Sequence, residues 1–181
     1  MHREMCMNID RAIRCGLEIA VFTRNHHRYL VEAALIAAAE PTRRLTFRAQ
    51  NRWVSACDAI GTRGPLDLYI VPIGKTGCVE YVADLRDVHV DPKPEQKRTQ
   101  ELLELSLPST RHEGLWEKSG KGVRTLYVIS NCRRLETPFP ITELVKVSKH
   151  MPLSADYRRA YSLVYARDLG SKGEAHPKNS T

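Results

Sequence analysis

The 181-residue sequence predicts an α+β fold, a small curved or closed, mostly antiparallel sheet with flanking helices. Three observations lead there. The runs 66-LDLYIVPI-73 and 78-CVEYVADLRDVHV-90 are rich in strand formers and are joined by the glycine-bearing turn 74-GKTG-77, a hairpin pattern. Five or six strand-like runs are interrupted by two or three helical ones. Strict alternation of strand and helix around a G-x-G-x-x-G turn is absent, which argues against a dinucleotide-binding fold.

Taken in order, Asn8 is placed to cap a short helix over 9–15, closed by Gly16. The run 17-LEIAVF-22 reads as the first strand. The corner 23-TRNHH-27 follows, with Asn25 as the expected cap of a helix whose Leu30, Ala33, Ala34, Ala37 and Ala38 share one face and which ends before Pro41. Small residues on that face suit close packing on a sheet. In 43-RRLTFRAQNRW-53, Leu45, Phe47 and Ala49 alternate with Arg44, Arg48 and Gln50, as in a half-buried strand. After the hairpin, 91-DPKP-94 stops the chain and a helix is expected over 95–107, limited by Pro108. The polar, glycine-punctuated stretch 109–122 reads as a loop that carries Trp116. The run 123-VRTLYVI-129 reads as a strand buried on both faces, 138-PFPITELVKVS-148 as a proline-opened helical turn, and 160-AYSLVYAR-167 as a closing strand. One domain is expected over 1–168, with a polar tail over 169–181.

The composition, 42% hydrophobic and 27% charged, is that of a globular chain with a core. No run approaches the roughly 18 apolar residues of a membrane helix, so no membrane association and a cytoplasmic location are expected. Cys6, Cys15, Cys57, Cys78 and Cys132 are odd in number and widely spaced, which fits reduced thiols better than a disulfide framework or a zinc site. The His residues show no metal-binding spacing, and neither a metal nor a cofactor is expected.

The net charge of +7 raises the question of a nucleic-acid partner, because clustered arginines release counterions from a phosphate backbone. Residues 43–53 hold four arginines, Phe47 and Trp53 with no acid, whereas 84-DLRDVHVDPKPEQ-96 is acid-rich. Arginines beside rings suit a surface that neutralises phosphates and offers a face to a base.

From Leu66 to Arg167 the order of elements resembles the PUA-like superfamily, and within it the EVE and ASCH branches. The residues that carry the likeness are the hairpin 68-LYIVPIGKTGCVEYVADLRDV-88, the run 123-VRTLYVISNCRRLETPFPITELVKV-147 and the ending 153-LSADYRRAYSLVYAR-167. The chain departs from the EVE pattern in its first strand, which lacks the usual aromatic opening, and in the alanine-rich helix and the 43–53 segment before the hairpin. The resemblance implies a barrel-like sheet with a cleft beside the first strand, used by relatives to hold DNA or RNA, often with a modified base turned out of its stack.

A pocket for such a base needs flat walls, groups for the base edge and cations for the flanking phosphates. Trp53 and Trp116 are the candidate walls, Asn25, His26 and His27 the candidate edge contacts, and Arg24, Arg28, Arg48, Arg52 and Arg124 the candidate phosphate field. Each has a plainer role: Trp116 as an anchor of its loop, Asn25 as a helix cap, the histidines as solvated polar residues. The start of a helix near His26 itself attracts anions through its unpaired N–H groups. Binding is favoured over catalysis. The rival is a hydrolase of RNA or a modified nucleoside, as the ASCH likeness implies, with His112 and Glu113 as an acid–base pair. A basic module that docks a protein partner, or one that serves a separate catalytic subunit, is the third class.

Overall fold

The structure is a computed structural model and describes residues 17–74, 77–112 and 122–169. The predicted helix over 9–15, Trp116, Glu113 and most of the polar tail lie outside those residues. Three helices are described: α1 (His27–Ala39), α2 (Val54–Arg63) and α3 (Lys97–Glu104). They accompany the strands β1 (Ile19–Asn25), β2 (Leu45–Ala49), β3 (Leu66–Pro72), β4 (Cys78–Val90), β5 (Thr125–Pro140), β6 (Val145–Lys146), β7 (Met151–Pro152) and β8 (Tyr161–Tyr165). The eight strands form one mixed, mostly antiparallel sheet in the order β2-β5-β4-β3-β1-β8-β6-β7. No described helix is long and apolar enough to cross a membrane.

The sheet has a core on each face because its central strands alternate. On β1, Ile19 and Val21 enter one core, under α1 and α2, while Ala20 and Phe22 enter the other with Tyr69, Val71, Phe139 and Leu153. Helix α1 packs on β5 and buries Leu30, Ala33 and Ala37 of the stripe expected from the sequence, while Ala34 is half-buried and Ala38 exposed. Helix α2 packs on β4 through Ala56 and Ala59 and ends at Gly64, whose positive φ of 81° suits a residue without Cβ.

Strands β1 and β3 are parallel, so the chain must cross over between them, and α1, β2 and α2 make that crossover. The other pairs are antiparallel. The β4–β5 ladder shifts register at three places, between Val79 and Tyr81, Val82 and Asp84, and Leu85 and Asp87. Such irregularities add twist and bend a sheet. Curvature brings β2 round toward the end of β1, although three strands separate them in the order.

The curved alternative therefore holds and the closed one does not. Strands β2 and β7 are edges. The outer side of β2 is covered not by a strand but by the chain after α3, where Thr46 N–H donates to Leu105 O at 2.9 Å and Thr46 bridges Ser106. A segment that offers one bridge cannot continue the sheet, and the seam stays open.

Local differences from the sequence reading have physical causes. The first strand runs on to Asn25 because β3 pairs its residues through to Asn25, while β8 pairs it as far as Thr23. The helix cap accordingly moves to His26, which makes no side-chain capping bond. Strand β5 continues past Ile129, through Asn131 at φ 51°, because the 13-residue β4 offers pairing along its whole length. Helix α3 stops at Glu104, and Pro140 opens only a three-residue 3-10 turn.

Candidate functional site

The seam between β1 and β2 encloses a cavity of about 750 Å³, a size that suits a small planar ligand. Its walls come from four places. The end of β1 gives Thr23, Arg24 and Asn25; the start of α1 gives His26, Arg28 and Tyr29; β2 and the turn after it give residues 46–51 and Trp53. Val123 and Tyr127, with Leu107, Thr110 and His112, complete the floor and one side. The last segment is held in place by Glu32 of α1, whose carboxylate accepts from Ser109 N–H at 3.1 Å and from the Ser109 hydroxyl.

Among the described residues that line it there is no Asp or Glu, whereas Arg24, Arg28 and Arg48 are present. The start of α1 adds to the positive field, with neither a side-chain cap nor an acidic residue in its first turn. Arg48 Nη2 donates to Ser106 Oγ at 3.3 Å, which lays its guanidinium along the cavity side of the 105–106 segment. Arg24 Nη2 donates to Tyr157 O at 2.7 Å, and its Nε is buried with no hydrogen-bond partner. Desolvation, and then the nearby Arg158, lower the pKa of Arg24 from its ordinary value.

Trp53 is 1% exposed and sits in a ladder of four rings. Phe47 and Tyr127 stack at 5.5 Å, Tyr127 and Trp53 at 4.3 Å, and Trp53 and Tyr161 at 5.1 Å, all within about 21° of parallel. Each such pair adds about 0.5–1.5 kcal/mol beyond burial. The turn that delivers Trp53 is fixed through Thr125, whose hydroxyl accepts from Trp53 N–H at 3.1 Å and donates to Asn51 O at 2.7 Å. The expected role of Trp53 as a wall is corrected: Tyr127 and Tyr161 cover its two faces. It is nonetheless among the residues that line the cavity. Its indole Nε1 is buried with no hydrogen-bond partner among the described residues, and the same holds for the hydroxyl of Thr46, a residue also 1% exposed. The end ring of the ladder that lines the cavity is Phe47, which the sequence placed in a core.

The Asn25–His27 corner divides. Asn25 is not the cap of α1; its Oδ1 accepts from His26 N–H at 2.7 Å and its Nδ2 donates to Tyr127 Oη at 2.7 Å. Both its functions are thus taken up in holding the cavity wall. His26 lines the cavity and is exposed. His27 turns away, with Nε2 3.2 Å from Tyr81 Oη, because successive residues at a helix start point in different directions. Arg52 and Arg124 are also drawn off. Both guanidiniums bind Asp91, at 2.7 Å and 2.8 Å, and neither lines the cavity. Asp91 can do this because it sits at φ 51°, after β4, between the two arginines.

Tyr127 is fully buried and desolvation pushes its phenol well above the ordinary value, so it is neutral and able to accept from Asn25. Among the described residues no group of three or more His, Cys, Asp and Glu is placed to hold a metal ion. Of the acid–base pair considered from the sequence, His112 lines the cavity.

In comparisons with known proteins, the chain matches no family model, no curated protein and no solved structure.

Proposed function

We propose that this chain is a nucleic-acid-binding domain, a curved PUA-like sheet that receives one base, in modified form or flipped from its stack, in the cavity between β1 and β2. One observation carries the reading. Trp53 Nε1 and Thr46 Oγ1 are buried, unpartnered among the described residues and borne by residues that line the same 750 Å³ cavity. Leaving a buried polar group unpaired costs about 1–3 kcal/mol, so two in one cavity ask for a ligand that satisfies them. The indole N–H can only donate, which requires an acceptor such as a ring nitrogen or carbonyl oxygen on the ligand's inner edge.

Charge supports the same class of ligand. A cavity whose described lining holds arginines and no carboxylate favours a ligand attached to phosphates. Arg24, Arg28 and Arg48 take the role given to a wider set of arginines in the sequence, while Arg52 and Arg124 stand back with Asp91.

The test is a binding panel of modified and unmodified DNA and RNA, single- and double-stranded, at two salt concentrations, with wild-type protein and Trp53→Phe. The reading expects one substrate to stand out from the rest and that preference to weaken in Trp53→Phe, which keeps the ring ladder and removes the donor. Equal affinity for every member, lost at moderate salt, reduces the interaction to charge attraction and defeats it. Binding to an acidic protein surface with no response to oligonucleotide identifies a docking module instead.

A further inference from the structure

The rim of the cavity beside β1 holds a second feature, which the base-edge argument does not use. Tyr157 is surrounded by cations: Arg24 Nη2 donates to its carbonyl at 2.7 Å, Lys146 Nζ lies 5.9 Å from its ring centroid, and Arg158 follows it in the chain. The guanidiniums of Arg43, Arg52, Arg86, Arg98, Arg124, Arg134 and Arg167 all meet a carboxylate. Those of Arg24 and Arg158 meet none among the described residues. The nearest acid in sequence, Asp156, is engaged with the Ser154 hydroxyl and its own backbone N–H, while still feeling Arg158.

We propose that Arg24 and Arg158 form a phosphate subsite on the cavity rim, so that the ligand is a nucleotide and not a free base or nucleoside. This rests on the base-binding reading for its neighbour in the cavity but not for the subsite itself. Arg24 has the donor to spare, since its Nε is buried without a partner while Nη2 is fixed on Tyr157. Arg158 is exposed and free to swing onto an anion. Burial, and then repulsion from Arg158, lower the pKa of Arg24. A phosphate between them removes that repulsion and accepts charge-assisted hydrogen bonds from both.

The experiment titrates the whole chain with inorganic phosphate, 2′-deoxycytidine, and its 3′- and 5′-monophosphates, comparing wild type with Arg158→Gln and Arg158→Lys by calorimetry. Arg158 is exposed, so thermal melting of the variants should match wild type. Inorganic phosphate is expected to bind wild type and to bind Arg158→Gln about tenfold more weakly, with partial recovery in Arg158→Lys. One of the monophosphates should exceed the nucleoside in affinity, and that excess should vanish in Arg158→Gln. Failure of wild type to bind inorganic phosphate, or equal phosphate affinity in wild type and Arg158→Gln, overturns the subsite. Phosphate binding that is lost in Arg158→Gln but gains nothing from an attached nucleoside upholds the subsite and counts against the base-binding reading.

Discussion

Asn25 donates its Nδ2 to Tyr127 Oη at 2.7 Å, joining the end of β1 to β5 across a sheet in which β4 and β3 lie between them. That bond crosses the open seam. It ties the strand that starts the cavity to the ring ladder that floors it, and it leaves both groups satisfied where water is excluded.

Asn25→Ala leaves the Tyr127 hydroxyl and the His26 N–H without their partner. The expected loss is about 1–3 kcal/mol of stability, read from denaturant midpoints. Tyr127→Phe should cost a similar amount, and the double variant should cost less than the sum, since the two residues share one bond. Additive effects contradict the seam bond.

Trp53 separates ligand binding from stability. Trp53→Ala empties the centre of the ladder and should cost about 3–5 kcal/mol, measured by chemical unfolding. Trp53→Phe keeps an aromatic ring between Tyr127 and Tyr161 and should cost much less, yet should weaken a preferred oligonucleotide about tenfold by removing the inner donor.

Asp91 restrains two cations outside the cavity. Asp91→Asn keeps a residue that tolerates positive φ and removes the charge that binds Arg52 and Arg124. Non-specific affinity for DNA should rise, and the dependence of log K on log salt should steepen by about one or two, read from titrations at several salt concentrations. Discrimination among bases should not change, because neither arginine lines the cavity.

Alkaline pH should unfold the chain through groups that burial holds protonated. The Cys132 thiol is raised to about 12 by desolvation, and the Tyr127 phenol is raised as well. A folded-state pKa above the unfolded one gives stability that is complete below the unfolded value and is lost as pH rises through the folded value. Denaturant midpoints should therefore hold steady to about pH 8 and fall from about pH 9 upward. Cys132→Ala should make that fall shallower. Native Cys132 should also resist thiol reagents that label the unfolded chain.

Much of the sheet was legible in the sequence because its strands carry strong local signals. The 66–90 hairpin, the strand ending at Ile129 and the closing strand around Leu163 are runs of β-formers bounded by glycine or proline, and they appear as β3, β4, the first part of β5 and β8. Helix α2 escaped notice, since Gly61 and the lack of a capping side chain weaken a helix that its packing on β4 supports. Of the corner 23–27, Thr23 to His26 line the cavity while His27 meets Tyr81, and these separate roles were not legible. Whether Asn25 faces solvent or Tyr127, and whether the faces of Trp53 are open or covered, depends on partners more than 70 residues away in sequence, 102 for Asn25 with Tyr127 and 72 for Trp53 with Thr125. Asp91 lies in the acid-rich 84–96 segment, but its capture of Arg52 and Arg124 depends on how β4 and β5 are paired.

The indole N–H resonance of Trp53, assigned by its loss in Trp53→Phe, reports on the central claim directly. On titration with the oligonucleotide that binds best, the resonance should move downfield in proportion to occupancy as Nε1 finds an acceptor. Saturation of the protein by that oligonucleotide with the Trp53 resonance unmoved would contradict the account.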